Sequence, residues 1–340
     1  MSPDMDNVGR YRVHRRLGAG SFATVWLGHD DDLDAPVAIK VLAENWAEDD
    51  GVRARFLGEA RFLRRIRDPR VVKVFDIGSL DDGRPYFVMD YVDGGSLNQF
   101  RRSPLDPIRT LQLCAEACRA IEVLHQHDVI HRDVTPGNLL LTAEPQPRVL
   151  IADLGVARSM IDEDGATMTV GTPAYMAPEQ ARGDTVLDRR CDIYSLTAVT
   201  YALLAGAPPF RVRSLSDIVA RSAELVPEPL AERVGAPPSL DTVLGSGLAF
   251  DRRQRPPSAA RLADALDAVA RELAGAAGRR AEIAPRRPSH PALAVEPTPV
   301  GASGADPDPN RRPVTQYVLL ATAAVALFAL SMFVTILVLR

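Results

Sequence analysis

A chain of 340 residues with 46% hydrophobic and 25% charged side chains has room for one large domain or two ordinary ones and is too apolar to be disordered. Its formal charge of -4 gives no basic footprint for nucleic acid, although an acidic average can hide a local patch. The 3 cysteines, Cys114, Cys118 and Cys191, fall in no paired metal spacing, and the opening residues resemble no secretory signal, so a catalytic part in a reducing, cytosolic compartment is expected.

Cys114 and Cys118, four residues apart on a predicted helix, are expected to be small buried core residues. Of the 40 basic residues only Lys40 and Lys73 are lysines. Under such a bias a surviving lysine suggests a need for a compact point charge that a planar guanidinium cannot supply.

Residues 11–30 read as two strands around a glycine-rich turn, Gly18-Ala19-Gly20-Ser21-Phe22-Ala23. Glycines at 18 and 20 let backbone amides approach phosphate oxygens, and Val25 would then cover one face of an adenine ring. A plain hairpin turn satisfies the same pattern. Residues 37–42, Val-Ala-Ile-Lys-Val-Leu, form a predicted strand with Lys40 inside it. The stretch 52–67 has apolar residues at 52, 56, 60, 63 and 66, a helical stripe with Glu59 on its edge. Each charge is costly inside unless paired, so Lys40 with Glu59 satisfies both and leaves ammonium protons for nucleotide phosphates. Predicted strands at 71–77 and 85–91 flank Asp81-Asp82-Gly83 and complete a five-stranded sheet. Asp93-Gly94-Gly95-Ser96 reads as a hinge, with backbone groups of Asp90 and Val92 facing an adenine edge and Met89 behind them.

A helix over 107–127 leads to His131-Arg132-Asp133-Val134-Thr135-Pro136-Gly137-Asn138. One carboxylate and one amide five residues apart suit a phosphoryl-transfer loop, Asp133 accepting a hydroxyl proton and Asn138 holding magnesium. A surface turn built from Asp, Pro and Gly is the plainer alternative. Residues 139–141 and 149–151 form a predicted hairpin ending in Asp153-Leu154-Gly155, where Asp153 is a second magnesium ligand. A polar loop over 159–170 carries Thr167 and Thr169, followed by Gly171 to Glu179 with Thr172. A helix from Asp192 to Ala205 is apolar nearly all round and therefore buried, with Asp192 near its N-terminal end. Arg255 can reach back to Glu179 as an internal ion pair, and the last helix is expected to end near residue 274.

In this order the motifs resemble a Ser/Thr protein kinase of the eukaryotic-like type found in bacteria, over residues 11–272. The resemblance implies an α+β, two-lobed protein-kinase fold, with a small β-rich N-lobe over about 11–91 and a larger helical C-lobe over about 94–272. It implies ATP and Mg2+ as cofactors, Asp133 as catalytic base, Lys40 and Glu59 as the phosphate-positioning pair, and Asn138 and Asp153 as metal ligands. The nucleotide would lie against Leu17, Gly18, Ala19, Gly20, Ser21, Phe22, Ala23, Val25, Ala38, Lys40, Asp90, Val92 and Leu140. Thr172 matches Ser/Thr rather than Tyr kinases, and Arg132 beside Asp133 resembles kinases switched on by phosphorylation of the loop, here at Thr167 or Thr169. Two departures stand out. Ala23 replaces the usual third glycine, and Thr135 stands where the family has lysine; neither Thr135 nor Gly137 supplies a cation.

Residues 275–313 turn to Pro, Ala, Gly and Arg and read as a disordered juxtamembrane linker. Residues 318–339 carry no charge and would span about 33 Å as a helix, enough for a bilayer core, with Arg311 and Arg312 on the inner side. The expected location is a cell membrane, single-pass, with the kinase domain cytoplasmic. Expected partners are protein Ser/Thr substrates, the bilayer, and a second kinase copy for phosphorylation in trans, with no nucleic acid. The alternative is a membrane-anchored pseudokinase that binds nucleotide and partners without efficient transfer.

Overall fold

The computed structural model describes residues 6–101, 103, 105–154 and 173–283. Contacts divide the chain into one unit over Met1–Pro285 and a second over Arg286–Arg340, the latter wholly outside the described residues.

The first half of that unit is an antiparallel sheet of β1 (Asn7–Val8), β2 (Tyr11–Ala19), β3 (Ala23–Asp30), β4 (Ala35–Leu42), β5 (Val74–Ser79) and β6 (Pro85–Asp90). The strand order is β1-β2-β3-β4-β6-β5, six strands where five were expected. The added strand is only two residues long, too short for any period to register, yet Val8 and its partner Tyr11 are both buried. The strand expected from residue 71 begins at Val74, and Val71 instead makes a single parallel bridge to Ile151.

Alternation along β4 sorts its side chains. Val37, Ile39 and Val41 pack with Val8, Tyr11, Tyr86 and Val88 on one face. Ala38 and Leu42 pack on the other face against α1 (Asp50–Arg65), through Val52, Phe56, Ala60 and Leu63. Lys40, between Ala38 and Leu42, must share that second face. Asp49 caps α1 by accepting a hydrogen bond from Val52 N at 2.8 Å, and Phe56 meets Phe87 with ring centroids 5.0 Å apart. Fully burying a side chain of that size contributes roughly 1.5–3 kcal/mol, so the inner stripe, more than helix propensity, fixes α1 against the sheet.

The helical half is built on α2 (Pro107–Gln126) and α4 (Arg190–Ala205), with α3 (Pro178–Ala181), α5 (Leu215–Val219), α6 (Ser239–Gly247) and α7 (Ala259–Ile283) around them. Asp106 caps α2 by accepting from Ile108 N and Arg109 N, both at 3.0 Å, and Pro107 follows where its missing N–H costs nothing. Helix α4 is buried from Cys191 to Leu203, and its hydroxyls bond back to the helix, Thr197 to Ile193 O at 2.7 Å and Thr200 to Leu196 O at 2.8 Å. Gly247 of α6 is needed for this packing, since a Cβ there would lie 2.1 Å from Thr197 Oγ1. Cys114 and Cys118 are free and buried, as expected, and so is Cys191; burial pushes the Cys114 thiol up to about 12.

Two strands, β7 (Leu139–Leu141) and β8 (Val149–Ile151), lie between the halves. Val72 N bonds Ile151 O at 3.1 Å, and Ile151 N bonds Arg70 O at 2.8 Å, tying the connection after α1 to β8. Gly94 closes the hinge side, where a Cβ would stand 2.3 Å from Leu141 O. Helix α7 continues to Ile283, past the end expected near residue 274, because its last stretch is rich in Ala and Arg and meets no proline before Pro285. Thr167, Thr169, Thr172, the expected span at 318–339 and the expected linker beyond Ile283 lie outside the described residues. Among the described residues no helix is long and apolar enough to cross a membrane.

Candidate active site

Lys40 and Glu59 meet because β4 presents every second residue to α1 and α1 presents its inner stripe to β4. Lys40 Nζ lies 2.8 Å from Glu59 Oε1 and 2.9 Å from Asp153 Oδ1. Burial works against the Lys40 charge, but Asp153 and then Glu59 outweigh it and hold the ammonium above its usual range. For Glu59 burial is the largest influence and pushes the carboxyl up to about 7, against the pull of Lys40. One ammonium between two carboxylates stays charged, and the pair of acids is left short by one positive charge. Such a site is poised for a further cation.

The loop before β7 is organised from below. Asp192, fully buried in the first turn of α4, accepts from Arg132 N at 2.8 Å through Oδ1 and from His131 N at 2.8 Å through Oδ2. His125 Nε2 lies 2.8 Å from the same Oδ2. These bonds hold Arg132 at a φ of 66°, a left-handed conformation that costs a non-glycine residue about 1–2 kcal/mol. Gln180 Nε2 adds a bond to Arg132 O at 2.8 Å. The turn that follows is fixed by Asn98 N donating to Pro136 O at 3.1 Å. Asp192 was expected only as a charge near a helix end. Its role as a clamp had one available signal: a lone carboxylate in a helix apolar on every side must find donors.

Asn138 Nδ2 donates to Asp133 O at 2.8 Å and to Asp133 Oδ2 at 3.3 Å. With its nitrogen so engaged, Asn138 has its oxygen available for a cation, and Asp133 is oriented by the same bonds. Asp153, at a φ of 57°, is the second left-handed non-glycine of the site and brings its carboxylate to Lys40. Magnesium takes one or two protein oxygens and completes its shell with phosphate and water, so Asn138 and Asp153 fit it. Among the described residues no three His, Cys, Asp or Glu side chains form a metal cluster of their own.

The glycine-rich turn closes through Gly20 N donating to Ala23 O at 2.8 Å, and a Cβ on Gly18 would meet nothing within 4 Å. Internal packing therefore does not require glycine at 18. Ala23 is simply the buried first residue of β3, paired with Leu42. Val25 pairs with Lys40 and Ala38 with Met89, so these expected adenine-side residues stand on neighbouring strands, while half-buried Leu140 lies on β7, bridged to Ser96. Leu17 stays 36% exposed at the edge of β2. Asp90 turns its carboxylate to accept from Lys73 N at 2.8 Å, while Val92 is half-buried just beyond β6. Thr135 is half-buried beside Gly137 and brings no cation to the loop. Away from the cleft, Arg255 forks onto Glu179 at 2.6 and 2.9 Å, the expected internal pair.

Comparison with known proteins agrees with this geometry. Residues 11–262 match the protein kinase domain family. The chain is 36% identical over 262 residues to Serine/threonine-protein kinase PknB of Mycobacterium leprae, covering 74% of this chain and 42% of that protein. It is 38% identical over 283 residues to DNA damage-responsive serine/threonine-protein kinase RqkA of Deinococcus radiodurans, covering 80% and 41%. It thus spans about two fifths of the length of these relatives. The crystal structure of the Mycobacterium tuberculosis PknI kinase domain is similar with a TM-score of 0.60 at 30% identity, covering 77% of this chain and 97% of that one. With the family match covering residues 11–262 and the two-lobed fold around it, the chain belongs to the protein kinase family.

Proposed function

We propose that the chain transfers the γ-phosphoryl group of MgATP to Ser and Thr hydroxyls of protein substrates, from the inner face of a cell membrane. The carrying observation is the Lys40 ammonium held 2.8 Å from Glu59 and 2.9 Å from Asp153, beside an Asp133 oriented by Asn138. Bound MgATP would supply the phosphoryl group and the cation that offsets its charge. Lys40 holds α and β phosphate oxygens, backbone amides at Gly18 to Gly20 cover them, and Asp133 accepts the proton of the attacking hydroxyl. Phosphorylation at Thr167 or Thr169 by a second copy, with the new charge pairing Arg132, is the proposed activating step. The uncharged stretch 318–339 supports the anchor.

Thr135 supports a second proposal, a membrane-anchored pseudokinase. Losing one preorganised donor from a site where charge develops costs roughly 100- to 1000-fold in rate. A threonine hydroxyl is able to donate to a phosphate oxygen or to Asp133, so a slow kinase is the favoured outcome. Incubating the full chain with radiolabelled ATP, magnesium and a Ser/Thr protein substrate, beside Asp133→Asn, separates the two: label only in the wild type supports transfer, and equal background in both supports the pseudokinase.

A further inference from the structure

The acidic average of the chain does hide a local patch. Residues 53–73 hold eight basic side chains against two acidic ones, in a chain of formal charge -4. Both acids are committed: Glu59 to Lys40, and Asp68 to Arg70 at 2.8 Å. Arg61, Arg65 and Arg67 are exposed and make no ion pair among the described residues. At 3.6 residues per turn, Arg61 lies about 200° around the helix from Glu59, so the face opposite the catalytic pair carries the free charge. Arg64 extends this face to the edge strand β5, donating to Phe75 O at 2.6 Å, and Phe75 itself is 47% exposed. Guarding a sheet edge explains Arg64, but not three unpaired arginines on and after the helix.

We propose that the outward face of α1, with Arg61, Arg64, Arg65, Arg67 and Phe75, docks on an anionic bilayer surface. The inference rests on the proposed membrane anchor, which would raise the concentration of lipid headgroups around the domain. Guanidinium groups pair with lipid phosphates in a forked geometry, and an exposed aromatic beside them suits the headgroup boundary. The contact would steady α1 from the side opposite Glu59 and so couple the catalytic pair to the lipid beneath it.

The test uses the full chain with vesicles of phosphatidylcholine alone and of phosphatidylcholine with phosphatidylglycerol, reading amide hydrogen exchange over residues 61–75. The expected result is exchange slowed about fivefold or more with phosphatidylglycerol only, following from several arginines each worth roughly a fivefold effect at an anionic surface. High salt removes that protection, and so does the triple variant Arg61→Glu, Arg65→Glu, Arg67→Glu, which keeps wild-type transfer on phosphatidylcholine vesicles. Equal exchange on both vesicle types overturns the inference, as does protection by RNA but not by phosphatidylglycerol, which would assign the face to nucleic acid. Flotation with phosphatidylcholine vesicles tests the anchor separately: a chain that fails to float rejects the span, while exchange with added phosphatidylglycerol vesicles still reads the face.

Discussion

Two buried ion pairs in this molecule share their chemistry and differ in what they leave open. Arg255 forks onto Glu179 and spends its remaining donors on Ala249 O at 2.8 Å, Arg190 O at 3.0 Å and Phe250 O at 3.3 Å. Lys40 meets Glu59 through a single contact and is shared with Asp153. The first pair is satisfied on every side and locks α3 to the segment before α7. The second leaves its carboxylates short of compensation, which is a defect in a lock and suits the phosphate and magnesium of the proposed reaction. A lysine suits the second role and an arginine the first, for the same reason that their head groups differ.

Breaking the lock has the largest expected effect. Arg255→Ala strands a buried Glu179 and is expected to cost about 3–5 kcal/mol of stability, read as a lower urea midpoint, with activity lost through unfolding. Breaking the other pair separates function from fold. Lys40→Met is expected to lower transfer at least about 100-fold while the urea midpoint falls less, because the apolar stem remains and the stranded Glu59, which burial already pushes up to about 7, takes up a proton.

A smaller effect sharpens the comparison from the substrate side. Thr135→Lys restores a cation beside Asp133 and is expected to raise kcat about tenfold, with little change in KM for ATP. The smallest effect is a slope. The folded-state value of Glu59, about 7, lies above its ordinary 4.5, so its contribution to stability is fully present below the ordinary range and is lost as pH rises through about 7. Unfolding curves of the wild type across pH 5 to 8 are expected to carry that decline, and Glu59→Gln to flatten it while lowering activity.

Both pairs were legible in the sequence, for different reasons. Lys40 and Glu59 each sat where a lone charge interrupts an apolar period, whereas Glu179 and Arg255 were joined as an internal ion pair within the ordered run of motifs that resembles a kinase. Other features were legible only in part or not at all. Strand β1 is two residues long, and its pairing depends on Tyr11 being buried by residues far along the chain. The extension of α7 was hidden because an Ala- and Arg-rich composition serves a helix and a linker alike. Asp192 was visible as a residue but not as a clamp, since its partners are backbone amides, which every sequence position offers equally. The outward basic face of α1 was concealed by an acidic average, because net charge carries no position.

The central claim, that Lys40, Glu59, Asp153 and Asp133 form a working phosphoryl-transfer site despite Thr135, is tested most directly by radiolabel transfer. The full chain is incubated with MgATP and a Ser/Thr protein substrate beside Asp133→Asn and Lys40→Met. Slow transfer by the wild type, at least about 100-fold above both variants, is the predicted result. Transfer indistinguishable among all three, with the wild type folded and binding MgATP, would contradict the claim and leave a nucleotide-binding scaffold.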